Sequence, residues 1–517
     1  MEKILLYILI FWIGCASCYD DDSAKSFKLI NPIVIDMGAM PSEFIVYQYG
    51  TLKVVPVIYK EGLDDSNLHF EWRIKGYGAD RLLDHGMVLQ AIIHEEQQVD
   101  PYTLLLVVTD STSGLKEVRS WKLQVSSQLS TGLMVADTKD GQVGDVSLIT
   151  AFNFANLNDD KQDTLFRHIY SQGNGGGMNG PIISMANSNY TTERLTTLVS
   201  DRDICRIDPA SYIKREGLED MFYLPMKDDV VPMGVHFLDV SYPGEYVVLD
   251  GLLYYRNIYW GAKKYGYHYQ MNDGSKYAVS EIFLFPKNYS RKYTGIAFDS
   301  LNGRFVSLPD DADYGQLQQL KSSGGELEIS QLKNKKCVHI GLGKDKKIQV
   351  VLQDVVTGHN YIYSMTFGLQ DVMSSIKRIT DLSGCIGING AKYFTFSPLE
   401  EVMYYVVGNK IYAALLTSEN PVSHKCYETK DAGELITSMM IWKGAGRIYY
   451  TAGGNGKDRE MKADSRMLVI TTYDGEEGKV ITLPIENLGA GNISADRKYH
   501  KEYTGFNRIT TIAPQIK

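Results

Sequence analysis

Short apolar runs rich in Tyr, Val and Phe, each cut by a tight-turn pair, recur along most of this chain and leave few folds open to it. The clearest case is the segment from Lys392 to Leu416, in which apolar runs are cut by turn residues and Gly408-Asn409 joins two of them into a β-hairpin. A two-residue primed hairpin turn needs positive φ, which Gly and Asn tolerate. Similar signals fall at Asp140-Gly141, near Asp201, and at Asp250-Gly251, Asn302-Gly303, Thr357-Gly358 and Gly453-Gly454. With Gly408-Asn409 they mark seven candidate units, about fifty residues apart. The closest internal match sets the run from Tyr246 to Tyr255 beside that from Tyr405 to Tyr412. A period of this length, with several short strands per unit and little helical signal, predicts an all-β fold of radially arranged four-stranded blades, a β-propeller. An irregular pair of β-sandwiches is the competing arrangement.

The chain has 517 residues, enough for two or three ordinary domains or for a smaller domain beside one closed propeller. Its 35 Tyr and 47 Gly are the unusual counts, and both suit strands and tight turns. A formal net charge of −9, with no basic stripe, argues against non-specific binding to nucleic acid or to an anionic lipid surface.

Residues 1–17 carry Lys3 and then an apolar run, Ile4 to Ile13, too short to span a bilayer as a stable helix. They are expected to be a lipoprotein signal peptide, because small residues precede Cys18, the expected lipidation site. Cys15 is disfavoured by the bulky Trp12 three positions upstream. An ordinary cleaved secretory signal is the alternative. Residues 18–26, with Asp20-Asp21-Asp22, have no apolar face and predict a flexible acidic tether. Cys205, Cys337, Cys385 and Cys426 are widely spaced and show no zinc-type spacing. Two disulfides and buried free thiols both remain open.

Residues 27–127 alternate strands and turns around a central Trp72, the size and pattern of an immunoglobulin-like sandwich. Here the chain resembles the PKD-like lipoproteins of the Bacteroidetes. The resemblance rests on Cys18-Tyr19-Asp20-Asp21, Gly50 to Val54, Leu68 to Trp72, the Val108-Thr109-Asp110 run closed by Gly114, Val125-Ser126-Ser127 and Gly132 to Val135. It covers about the first 150 residues, and Leu133 stands where the family often has an aromatic. It implies a PKD-like domain, an outer-membrane lipid anchor on the cell surface, and a role beside a SusC/SusD-type importer. The remaining residues, 128–517, are assigned to the propeller.

Two segments attract attention as loops. The run Asn156 to Asp160 resembles a calcium-loop fragment but lacks the Gly and terminal Glu of an EF-hand, so a solvated loop or short helix is expected. The glycine-rich run Gln172 to Pro181 lacks the following Gly-Lys-Ser/Thr of a nucleotide loop and reads as a long flexible loop. The densest aromatic stretch, Tyr254 to Tyr269, offers Tyr259, Trp260 and Tyr267 as candidate ligand-binding residues, with Trp260 before Gly261 the best candidate for exposure. The competing expectation is that Tyr packs between blades. No His-Glu-x-x-His or Gly-x-Ser-x-Gly pattern occurs.

The sequence therefore predicts a non-enzymatic, cofactor-free and metal-free surface lipoprotein that helps an importer capture a glycan or peptide. The alternatives are a propeller glycosidase or lyase, with acids brought together from distant blades, and a purely structural scaffold or lid. Replacing the expected acyl acceptor, Cys18→Ala, should release the protein from the membrane fraction. Intact-mass analysis that finds the acyl group on Cys15, or none at all, would contradict the assignment.

Overall fold

The computed structural model describes residues 31–516, apart from positions 39, 49, 61–66, 77, 96–97, 99, 127–128, 130, 156–162, 191–192, 228, 240–242, 288, 290–292, 310–315, 323–331, 368–372, 452–457 and 487. Cys18 and the run Asn156 to Asp160 lie outside the described residues. The chain divides into two compact units, residues 1–128 and 129–517.

The first unit is a β-sandwich. One sheet has five strands in the order Glu43–Tyr47, Lys116–Ser126, Tyr102–Asp110, Leu68–Gly76 and Ala79–Asp84, the first pair parallel. Two two-stranded sheets complete it, Thr51–Val54 with Leu89–Ile92 and Val34–Ile35 with Ile58–Tyr59. Alternation along Tyr102–Asp110 sends Tyr102, Leu104, Leu106 and Val108 into one core. Trp72 anchors that core: it is fully buried, stacks on Trp121 with ring centroids 5.9 Å apart, and donates from Nε1 to the Gly86 carbonyl at 3.1 Å. At the end of the long strand Asp110 accepts from Thr112 N at 2.9 Å, from Ser113 Oγ and from Lys60 Nζ. These donors, Lys60 first, hold its carboxyl well below the usual range. Asp and the positive φ of Gly114 thus shape the hairpin to Lys116–Ser126.

The second unit is a seven-bladed β-propeller. Its seven sheets have as innermost strands Arg508–Gln515, Ile182–Tyr190, Pro232–Leu238, Val279–Leu284, Lys335–Leu342, Tyr393–Phe396 and Leu435–Ile441, blades 1 to 7. Each inner strand neighbours the next, and the last neighbours the first. Alternate residues of a blade's second strand face opposite neighbours, so a run with almost no exposed position is buried on both sides. In Gly132–Thr138, Leu133 and Val135 enter the core shared with blade 7, whereas Met134 and Ala136 enter the one shared with blade 2. Seven such inter-blade cores occur among the described residues.

Six of the seven turn signals join the second and third strands of a blade. At Asp250-Gly251 both residues have positive φ, 52° and 76°, as a primed turn requires. The matched runs from Tyr246 and Tyr405 are this hairpin in blades 3 and 6. Gly453-Gly454 is the exception. It lies outside the described residues and is flanked by Arg447–Thr451 and Asp458–Lys462, a hairpin inserted between the first and second strands of blade 7. The equivalent turn there is Asp474-Gly475, where Asp474 Oδ1 accepts from the backbone N–H groups of Glu476 and Glu477.

The glycine-rich run departs from the expected loop. It contains the end of a helix, Ile169–Asn174, and a short strand, Met178–Asn179, paired with Val143–Thr150. Two of its glycines, Gly177 and Gly180, permit close packing: a Cβ at Gly177 would lie 2.3 Å from Val143 Cγ1. All four described cysteines are free thiols.

Ring closure depends on Arg508–Gln515 pairing antiparallel with Gly132–Thr138. Buried Gln515 fastens the end of that strand, accepting from Tyr212 Oη and donating to the carbonyls of Leu129 and Pro209. Gln515→Ala removes these three hydrogen bonds and should lower stability by about 2–4 kcal/mol, read as a lower urea midpoint of the propeller transition. An unchanged midpoint would show that the closure does not depend on this side chain.

Candidate functional site: an aromatic rim on one face of the propeller

Neighbouring strands in a blade are antiparallel, so the innermost and third strands run the same way. Connections from first to second strand and from third to fourth therefore leave from one face. Blade 3 is the unusual one, because its sheet has only three strands, Pro232–Leu238, Gly244–Leu249 and Leu252–Asn257. Where a fourth would begin, residues 258–269 form a loop at the outer edge.

This loop divides the aromatic stretch. Tyr254, Tyr265 and Tyr269 are buried, so the expectation of packing between blades holds for them. Tyr259, Trp260 and Tyr267 are 38%, 72% and 79% exposed. Trp260 sits at a turn before Gly261, whose φ is 75°, and its ring meets that of Tyr259 edge to face with centroids 5.1 Å apart. Sequence reasoning missed Tyr223 and Leu224, which are also exposed and enter the same neighbourhood because Tyr223 N donates to the Tyr265 carbonyl at 3.1 Å. They are separated from the aromatic stretch in sequence, and only the pairing of 222 with 265 connects them.

Beneath the loop lies a buried ionic cluster between blades 2 and 3. Thr197, Arg206 and Glu216 stand side by side across three strands of blade 2, and Glu245 and Arg256 across two strands of blade 3. Glu245 accepts from Arg206 and Arg256 Nη2 at 3.2 Å each, from Thr197 Oγ1 at 2.8 Å, and from Tyr265 Oη. Arg206 reaches Glu216 at 2.7 Å, and Arg256 reaches Glu193 at 2.6 Å. Burial alone would raise the Glu245 pKa, but the two guanidiniums and the hydroxyl donors outweigh it and hold the carboxyl down near 2. The cluster also grips the loop, since Arg206 Nη1 donates to the Lys263 carbonyl at 2.9 Å and Arg256 Nη1 to that of Ala262 at 3.3 Å. Tyr265 carries the Arg206 guanidinium 5.0 Å above its ring. The exposed aromatics thus stand on backbone fixed from below.

On the same face the central channel opens into a cavity of about 460 Å³, lined mainly by apolar residues of blades 1 to 4 with Asn187, His236 and Asp239. Three further titratable groups on inner strands are perturbed. Burial pushes His236 and His339 down to about 4, with no charged group contributing to either shift. Burial raises Glu281 to about 7 against the opposing pull of Lys336. A general base is recognised by a hydrogen-bonded partner that orients it. His339 instead stacks on Phe396, and Glu281 faces Lys336 and Cys337. The described residues contain no cluster of three or more metal-ligand side chains.

No protein-family model matches the sequence, and no curated protein does. Among solved structures, the chain is similar to a quinonprotein alcohol dehydrogenase-like protein from Bacteroides thetaiotaomicron, with 12% identity over 93% of this chain and 98% of that one and a TM-score of 0.42. It is also similar to the BBS1N chain crystallised with ARL6DN, with 10% identity over 70% and 94% of the two chains and a TM-score of 0.34. The propeller assignment rests on the strand pairing described above.

Glu281 gives a pH test of this geometry. A carboxyl whose folded pKa lies above its ordinary 4.5 contributes stability that is complete below 4.5 and lost as pH rises through about 7. The melting temperature should therefore fall between about pH 5 and about pH 8, and fall less in Glu281→Gln. Parallel falls in the two proteins would mean that the carboxyl is hydrated. The chain is thus a β-sandwich and a seven-bladed propeller whose third blade presents a firmly held aromatic rim.

Proposed function

We propose that this protein is a lipid-anchored capture protein of the outer membrane, exposed at the cell surface, that binds a glycan at the rim of blade 3 without turning it over. The observation that carries the reading is the exposure of Trp260 and Tyr267 on a loop whose backbone is held by the buried Arg206–Glu245–Arg256 cluster. Exposed aromatic faces normally cost solubility, and firmly held rings beside polar groups suit stacking against sugar rings. His268 and Gln270, which follow Tyr267, supply such groups, with Gln270 Nε2 3.1 Å from His268 Nδ1.

The address rests on Cys18 and the acidic tether behind it, and the partner on the resemblance of the first 150 residues to PKD-like lipoproteins. A SusC/SusD-type importer would receive what the rim retains. The non-enzymatic reading is supported by His236, His339 and Glu281, whose surroundings do not join them into one acid–base constellation.

Trp260→Ala should weaken glycan capture by about 1–3 kcal/mol while leaving the melting temperature nearly unchanged. The check is a glycan-array screen followed by calorimetry with the best binder, in parallel with peptide ligands. Unchanged affinity would remove the rim from the binding site, and preference for peptide would replace the ligand class. Release of shortened product from the bound glycan would favour a propeller glycosidase or lyase.

A further inference from the structure

The cavity at the mouth of the central channel takes no part in the aromatic rim, and its chemistry is different. Its walls come from the inner strands of blades 1 to 4. Met185 and the partly buried rings of Phe237 and Phe283 stand among them, and the small side chains of Ala186 and Ala513 leave room beside them. Three polar residues join this apolar lining, Asn187, His236 and Asp239. Asn187 is engaged, because its Nδ2 donates to Thr196 Oγ1 at 2.9 Å and its Oδ1 is covered. Asp239 follows the end of its strand and is exposed, so its charge stands at the opening.

His236 is therefore the polar group that the wall offers. No described protein group hydrogen-bonds its ring. The ring is only partly exposed, and it borders the cavity. His339, the other imidazole held neutral by burial, stacks on Phe396 and does not line this cavity. A neutral imidazole presents one donor and one acceptor, which a single hydroxyl can answer.

The same surroundings select against charge. Burial alone pushes His236 down to about 4, and the desolvation that disfavours an imidazolium there acts equally on a ligand cation. No described lysine or arginine lines the cavity, and the carboxylate of Asp239 repels an anion at the opening. A sugar would bring several hydroxyls to a wall with one free polar group and leave most of them unpaired. The thioether of Met185 and the two phenyl rings favour an aromatic body instead.

We propose that the mouth of the central channel binds a phenol, an uncharged aromatic body whose one hydroxyl hydrogen-bonds His236. The volume of about 460 Å³ has room for two fused rings and lies within the range of small-ligand sites. This site is separate from the outer edge of blade 3, so Trp260→Ala should leave phenol binding unchanged.

The test is calorimetric titration of the full chain in detergent at neutral pH with 2-naphthol, naphthalene, 2-naphthoate and D-glucose, each corrected for its uptake by protein-free detergent. 2-Naphthol should bind about tenfold more tightly than naphthalene, the worth of one hydrogen bond to a buried group, and 2-naphthoate at least tenfold more weakly than 2-naphthol. His236→Phe should bring 2-naphthol to the level of naphthalene while naphthalene binding is retained. Asp239→Asn, a change at an exposed position, should leave 2-naphthol binding as it is and strengthen that of 2-naphthoate several-fold. Absence of saturable 2-naphthol binding would overturn the proposal. Equal binding of naphthalene would overturn the role of the hydroxyl, and tighter binding of glucose would overturn the ligand class. Unaltered 2-naphthol binding in His236→Phe, or 2-naphthoate binding indifferent to Asp239→Asn, would place the site elsewhere.

Discussion

Everything in the propeller depends on one strand pairing made between opposite ends of its sequence. Gln515 and Leu129 lie 386 residues apart, yet their hydrogen bond belongs to the same blade edge as the ladder between Arg508–Gln515 and Gly132–Thr138. Closing a loop of that length costs about 5 kcal/mol by logarithmic scaling. Without the closure Gly132–Thr138 is an open edge, and the cores on either side of blade 1 lose Ile509 and Ala513. The cost is incurred once, while the closed ring gives every blade two neighbours. That is why a run as apolar as Leu133 to Ala136 can be stable with both of its faces buried.

Local chemistry was legible in the sequence, and long-range chemistry was not. The Asp-Gly and Gly-Asn turns reveal themselves through backbone conformations that few residues tolerate, so six of the seven fell on the same hairpin in successive blades. Gly453-Gly454 misled because the strands on either side of it, Arg447–Thr451 and Asp458–Lys462, pair with each other as an inserted hairpin, and a turn signal reports a reversal without reporting which strands it joins. Trp72 was legible as a core residue because it occupies an inward position on a strongly alternating strand. Trp260 was legible as exposed because Gly261 marks a turn. The cluster beneath it could not be read, since Arg206, Glu245 and Arg256 acquire their meaning only when blades 2 and 3 are placed face to face. The glycine-rich run misled in the opposite way: Gly177 and Gly180 serve close packing, and Gly175 caps a helix in the left-handed region.

Three of the long excursions share one face for a topological reason. Loop length is free to grow wherever a connection leaves the sheet, and three long excursions leave on this side. The loop after Val143–Thr150 meets the inserted hairpin of blade 7, where Phe152 stacks on Tyr449 at 5.1 Å, nearly parallel, and Phe154 meets Trp442 at 5.0 Å. The third is the loop 258–269 of blade 3. On the opposite face the second-to-third connections are tight turns governed by Asp and Gly, whereas the connections from blade 1 to 2 and from blade 2 to 3 carry the helices Ile169–Asn174 and Leu218–Met221.

The cluster of Arg206, Glu245 and Arg256 is hard to justify as a stabilising device. Taking several charges out of water costs several kcal/mol each, and well-packed apolar residues of similar size often serve stability as well or better. Counted back from the turn that follows the second strand, Glu245 of blade 3 corresponds to Met403 of blade 6, which is buried, so the fold accepts an apolar residue at this level. What apolar replacements could not supply is the set of donors directed at the carbonyls of Ala262 and Lys263 and the hydroxyl bond from Tyr265. A loop that takes the place of a strand has lost its ladder of backbone partners, and side-chain donors beneath it can hold its carbonyls instead. The guanidiniums supply them, and Glu245 is what allows two guanidiniums to be buried together. On this reasoning the charges in the interface follow from the missing fourth strand of blade 3, and the firmness of the aromatic rim follows from the charges.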